Sequence, residues 1–190
     1  MPDILVTNPG VLKLLSLDTK KSVGPDSISP QVLKEARHKI APILTFIYNQ
    51  SLSSRIVPDD WHTANIFALH KKGPKDLAEN YRPISLTSIC SKILQNIVYS
   101  SISRFLENNS ILTTWQHGFR TGHSCETQLV HAINDWAKAL DHGYRSDVAI
   151  SDFSKAYDSV PHQCLLIKLD HCGIRGKTKE WISLLSTPST

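Results

Sequence analysis

The chain has 190 residues, 41% hydrophobic, 20% charged and 7% aromatic, a composition that excludes a disordered, fibrous or membrane-embedded protein and suits one globular core. Its longest apolar runs, such as Ile40 to Leu44, fall far short of the roughly 20 residues of a bilayer span, and the Met-Pro-Asp start lacks the basic and apolar regions of a secretory leader. Lys and Arg (21) exceed Asp and Glu (17), a net charge of +4 that permits a polyanionic partner without demanding one, and four scattered cysteines fit reduced thiols in an intracellular setting, cytoplasm or nucleus, better than a disulfide framework.

No internal repeat or low-complexity tract interrupts the chain, so one continuous unit is expected in which helices alternate with a few short strands. A first helix is predicted over Val11 to Leu17, ended by the loop Lys20 to Asp26, where Gly24-Pro25 forbids regular structure. Ser29 then acts as N-cap and Pro30 as first helical residue of a run in which Val32, Leu33, Ala36, Ile40, Ile43, Leu44 and Ile47 keep helical spacing. Pro42 is expected to break or kink that run.

Trp61 to His70, with Thr63, Ile66 and Phe67, reads as a strand running into the basic turn Lys71-Lys72-Gly73-Pro74-Lys75. The clearest helix follows, with Ile89, Ile93, Leu94, Ile97, Val98, Ile102, Phe105 and Leu106 at spacings of three and four, closing at Asn108-Asn109. Ser124 caps another, carrying Leu129, Val130, Ile133, Trp136, Ala137 and Leu140, with Gly143 as its stop. The period then changes: Asp147 to Phe153 alternates and holds Val148 and Ile150, which predicts a short buried strand. Pro161 opens a helix that stops at Gly173, and a last helix starts at Thr178.

Three groups of residues offer chemistry. Asp152 ends the expected strand, where a rigid element can aim its carboxylate at a metal or substrate; equally, it is a solvated strand end, with Asp158 a cap for the next helix. Lys71, Lys72, Lys75 and Arg82 can hold a polyphosphate or a nucleic-acid backbone, or be a solvated hairpin tip. Gln116-His117-Gly118-Phe119-Arg120 offers amide, imidazole, aromatic face and guanidinium together, as a nucleic-acid contact loop would, or forms an ordinary Gly-containing turn. Other motifs fail. Gly176-Lys177-Thr178 lacks the earlier glycine and the strand of a P-loop; His162, Cys164, His171 and Cys172 lack zinc spacing; no HExxH or Gly-x-Ser-x-Gly occurs.

Taken in series, Lys21-Ser22-Val23-Gly24-Pro25-Asp26, Trp61, His70-Lys71-Lys72-Gly73, Asn80-Tyr81-Arg82-Pro83-Ile84-Ser85-Leu86, Gln116-His117-Gly118-Phe119-Arg120 and the stretch from Asp152 to His162 resemble, in this order, the reverse transcriptase domain of non-LTR (LINE-type) retrotransposons. The resemblance implies an α+β right-hand polymerase fold of which this chain holds the fingers and connecting helices (about 1–145) and the start of the palm (about 146–190). It implies an RNA template, a DNA primer and deoxynucleoside triphosphates as partners and no membrane.

The family's aspartate at the head of the Asp152 block binds two Mg²⁺ ions, so Asp152 inherits the catalytic and metal-ligand role, with the Phe153 carbonyl as a further ligand. Two hard cations about 3.5 to 4 Å apart require carboxylate oxygens. Tyr157 falls where such polymerases place a ring beneath the sugar of the incoming nucleotide, and Lys155 and Ala156 would lend backbone N–H groups to its triphosphate. Arg82 with Lys71 or Lys72 would neutralise that triphosphate from the fingers, and Gln116, Gly118 and Arg120 would contact the template.

The chain departs from the family at Ser27 (usually Gly), Gln95 (usually acidic), His123 (usually Arg) and Tyr157 (usually Phe). Its only aspartates after Asp152 are Asp158 and Asp170, so the Ala-Asp-Asp block with the remaining metal carboxylates is not among these residues. The expectation is therefore an incomplete reverse transcriptase domain, without thumb and the rest of the palm, inactive by itself and with exposed apolar helix faces. Two other readings stand beside it: a non-catalytic RNA-binding remnant, and a helical protein-interaction module built on the Ile89 to Leu106 face.

Overall fold

The computed structural model describes residues 1–153, 156 and 159–186. Among the described residues seven helices and one hairpin run in the order α1 (Asn8–Leu14), α2 (Pro30–Glu35), α3 (Arg37–Ser54), β1 (Ala64–His70), β2 (Tyr81–Thr87), α4 (Ile89–Asn108), α5 (Cys125–Asp141), α6 (His162–His171) and α7 (Gly176–Ser186), with short 3-10 turns at Asp59–Trp61 and Ala78–Asn80. The chain divides into two units: one of residues 1–102 and 166–190, the other of residues 103–165. No helix among the described residues is long and apolar enough to cross a membrane.

The first unit is built on a closed apolar core. Val11, Leu15, Leu33, Tyr48, Leu94 and Trp181 are sealed from water, each worth about 1.5–3 kcal/mol in burial for the aliphatic members. Among its described residues no buried side-chain nitrogen or oxygen lacks a partner. The Tyr48 hydroxyl donates to the Cys90 carbonyl at 2.8 Å, the Trp181 indole N–H donates to Ser51 Oγ at 3.0 Å, and the Ser51 hydroxyl donates to the Ile56 carbonyl at 2.6 Å. The start of the chain is tied in by Asn49, whose Oδ1 accepts from Val6 N–H at 3.0 Å and whose Nδ2 donates to the Val6 carbonyl at 2.9 Å. Burial pushes the Cys90 thiol up to about 11.

Local signals set most helix ends. Ser29 accepts from Val32 N–H at 3.2 Å and Pro30 opens α2. Ser124 and Thr127 form a reciprocal capping box at the start of α5. At the other end of α5 the Tyr144 N–H reaches the Ala139 carbonyl at 2.9 Å, with Gly143 at φ +75, a left-handed stop. Pro9 starts α1 at Asn8, earlier than the apolar spacing from Val11 implies.

Two expectations are corrected. The break before α3 falls at Ala36, while Pro42 lies inside α3. Its ring opposes the carbonyl of His38 in the first turn, where no preceding turn of the same helix resists tilting. The predicted buried strand over Asp147 to Phe153 is absent: residues 145–153 have no regular structure, and Ile150 is 95% exposed. A strand persists only where a neighbour completes its ladder, and no described segment pairs with this one.

The α4 face of Ile89, Ile93, Leu94 and Val98 is buried in the core of the first unit, which removes it as the surface of an interaction module. In contrast, α5 buries no residue, and Leu129, Val130, Ile133, Trp136 and Leu140 are all exposed.

Candidate functional site

The hairpin carries the first group of candidates. β1 and β2 pair antiparallel in a register that sets Leu69 opposite Arg82 and His70 opposite Tyr81. Its tip is shaped around Asn80: the Asn80 carbonyl accepts from Lys71 N–H at 2.8 Å and the Asn80 amide donates to the Pro74 carbonyl at 2.7 Å. Tyr81 Oη donates to the Lys75 carbonyl at 2.9 Å. Gly73 turns the chain at φ +81, and a Cβ there would meet the Asn80 amide nitrogen at 2.8 Å. Lys71, Lys72, Lys75 and Arg82 are exposed on this ordered tip, and no carboxylate pairs with any of them among the described residues.

The Gly24 segment is fixed beside the end of β2. A Cβ on Gly24 would lie 2.7 Å from the Thr87 carbonyl carbon and oxygen and 2.8 Å from Ser88 Cα, so only glycine allows this approach.

In the second unit, Arg120 organises the loop before α5. Its guanidinium forks onto Glu107 at 2.8 and 2.7 Å and donates to the Thr113 carbonyl at 2.7 Å and the Gln116 carbonyl at 3.3 Å. The side chain is 11% exposed. Hydrogen bonding by Arg120 holds the Glu107 carboxyl below the usual carboxylate range, and the same bonds hold the guanidinium protonated. Gln116 Nε2 meets the Gly118 carbonyl at 3.5 Å, and a Cβ on Gly118 would meet nothing within 4 Å, so the loop backbone is open there. Phe119 sits exposed in the left-handed region at φ +61.

His117, 6% exposed, is locked under this loop. The Thr127 hydroxyl oxygen accepts the Ser124 N–H at 2.9 Å and lies 2.9 Å from the Ser124 carbonyl and 3.0 Å from His117 Nδ1. His117 Nε2 is buried and has no hydrogen-bond partner among the described residues. The rings of His123 and His131 stand edge-on with centroids 5.1 Å away. Burial first, then the charges of His123, His131 and Arg120, hold His117 below the usual imidazole range.

Asp152 and Phe153 are exposed in the irregular segment after Tyr144, rather than at the end of a buried strand. Ala156 is exposed too, while Lys155, Tyr157 and Asp158 lie outside the described residues. The carboxylate of Asp152 and the carbonyl of Phe153 are the oxygen donors a hard cation takes, but among the described residues no group of three His, Cys, Asp or Glu is arranged to hold a metal. The described residues therefore do not by themselves fit a two-ion centre.

The hairpin cations lie in the first unit, and Gln116, Gly118, Arg120, Asp152, Phe153 and Ala156 in the second. Sequence reasoning missed Glu107 and Thr127. Glu107 lies 13 residues from Arg120, with no local pattern to mark it; the Ser124 to Thr127 spacing was the available sign of Thr127.

The chain belongs to the reverse transcriptase (RNA-dependent DNA polymerase) family, whose pattern matches residues 69–187. It is similar to the probable RNA-directed DNA polymerase from transposon BS of Drosophila melanogaster, 33% identical over 155 residues, 81% of this chain and 17% of that protein. The RNA-directed DNA polymerase from mobile element jockey of Drosophila funebris is 29% identical over 170 residues, 88% of this chain and 19% of that protein. The retrovirus-related Pol polyprotein from type-1 retrotransposable element R1 of Bradysia coprophila is 26% identical over 153 residues, 80% of this chain and 15% of that protein. The chain thus spans less than a fifth of the length of these relatives, and the resemblance to non-LTR retrotransposon polymerases holds.

Proposed function

We propose that these residues serve as the fingers (about 1–145) and the start of the palm (about 146–190) of a retrotransposon polymerase that extends a DNA primer on an RNA template with deoxynucleoside triphosphates. The observation that carries this reading is Asp152, exposed and without a described ion-pair partner, at the head of its block inside the family match. Mg²⁺ is the cofactor of the complete reaction, where it supplies charge stabilisation at the reacting phosphate; Asp152 and the Phe153 carbonyl are the ligands this chain would contribute. Lys71, Lys72 and Arg82 on the hairpin neutralise phosphate, that of the incoming triphosphate in the complete polymerase and that of the nucleic-acid backbone when no nucleotide is bound. Lys155 and Ala156 offer backbone donors to the triphosphate, and Tyr157 excludes a 2′-hydroxyl. Gln116 and Gly118 meet the template, and Arg120, whose guanidinium is taken up by Glu107 and two carbonyls, acts by shaping their loop.

One carboxylate does not hold two ions, so the 190 residues alone bind a primer–template but do not extend it, which is also what a non-catalytic RNA-binding remnant would do. The test is oligo(dT) annealed to polyadenylate with dTTP and Mg²⁺. The expected result is salt-sensitive binding, weakened by Lys71→Ala, Lys72→Ala and Arg82→Ala, with no incorporation. Incorporation lost in Asp152→Ala would overturn the inactivity, and absence of binding would overturn the nucleic-acid reading.

A further inference from the structure

The first unit presents a second cationic site, separate from the hairpin. Lys13 in the last turn of α1, Lys21 in the loop after it and Lys92 in the first turns of α4 rim a single groove of about 330 Å³. All three are exposed, and none is ion-paired among the described residues. The one carboxylate on the rim is Asp18, whose Oδ1 accepts the Lys20 N–H at 3.0 Å and so is engaged in turning the loop. The hydroxyl of Ser22 and the amide of Asn96 also line the groove.

The groove is preformed. Lys21 and Ser22 stand just before Gly24, which is held against the Thr87–Ser88 backbone immediately preceding α4, so loop and helix keep their relation without a ligand. Three lysines from three chain segments against one carboxylate give the groove, whose apolar lining is Leu14, Leu17, Ile89 and Ile93, a net positive rim that favours an anion with apolar surface of its own, as a strand with phosphates and bases has.

We propose that this groove binds the phosphate backbone of single-stranded RNA, a contact additional to those of the hairpin and the Arg120 loop. The proposal rests on the polymerase reading above. A free nucleotide shares the phosphate chemistry, and the experiment separates the two.

The measurement is binding of a fluorescent 20-nucleotide oligouridylate to the 190-residue chain across a salt series. Circular dichroism confirms that each variant folds. The triple variant Lys13→Gln, Lys21→Gln, Lys92→Gln is expected to bind roughly tenfold or more weaker at low salt, with a log–log salt slope shallower by about 2, as loss of three single-strand phosphate contacts requires. Asp18→Asn, which keeps an acceptor oxygen for the Lys20 N–H, is expected to bind more tightly. In the Lys71→Ala, Lys72→Ala, Arg82→Ala background, which removes the triphosphate-binding hairpin, millimolar ATP should leave the remaining strand binding unchanged, and competition concentration-for-concentration would overturn the assignment to a strand. Unchanged affinity and slope in the triple variant, alongside weakening by Arg82→Ala, would overturn the groove and leave the polymerase reading standing. No binding by the unaltered chain would sink both.

Discussion

In the first unit Trp181, Tyr48 and Leu94 are closed off from water and the Trp181 indole N–H and Tyr48 hydroxyl are both matched, whereas among the described residues of the second unit only His117 is buried. The second unit takes its order instead from polar devices: the Arg120 fork on Glu107, the Ser124 and Thr127 capping box, and the glycine stop after α5. Its long helix turns an uncovered row of Leu129, Val130, Ile133, Trp136 and Leu140 to solvent. Local order and a hydrophobic core are thus separable, and the Asp152 segment belongs to the unit that lacks the core.

The contrast can be broken most forcefully at Trp181. Trp181→Ala empties a fully enclosed site and removes the donor to Ser51 Oγ, which keeps only its bond to the Ile56 carbonyl, and is expected to destabilise the first unit by about 3–5 kcal/mol in urea unfolding. Gly24→Ala comes next, at about 1–3 kcal/mol, because the new methyl meets backbone rather than a yielding side chain. A neutral result there would mean that the Lys21 loop is not held against α4.

The second unit should respond to pH rather than to core mutations. His117 is held below its ordinary value of 6.5, so between that value and its folded one the unfolded chain binds a proton that the folded loop refuses. Stability of the loop is therefore full above about pH 6.5 and falls as the pH drops below it. Glu107, lowered by Arg120, stays ionised through this window and does not blur it. Amide exchange of residues 113–123, corrected for intrinsic rate, should accelerate between pH 7.5 and 5.5 in the native chain and lose that dependence in His117→Asn. Equal protection at both pH values would contradict a lowered His117. The smallest effect belongs to Ile133→Gln, expected to change stability by no more than about 0.5 kcal/mol because that face is open to water.

What could be seen from sequence was what depends on neighbours in the chain. Ser29 before Pro30, Ser124 before α5, and Gly143 and Gly173 after their helices mark ends through bonds spanning a few residues. The ordered blocks from Lys21 to His162 identified the family because each is a short, contiguous pattern. What could not be seen depends on distant partners. The Arg120 fork needs Glu107, the burial of His117 needs α5, and a strand at Asp147 to Phe153 needs a ladder that nothing described here provides. Apolar periodicity placed both α4 and α5, yet it had no means of telling that one face would be covered and the other left bare.

The central proposal is that Asp152 is one of the metal-binding carboxylates of a polymerase. It is tested most directly by exchanging these 190 residues for the matching segment of the jockey polymerase and measuring dTMP incorporation on polyadenylate–oligo(dT). The account predicts incorporation by the chimera and its loss by at least about a thousandfold in Asp152→Asn. A chimera that incorporates equally well with Asp152→Asn would contradict it.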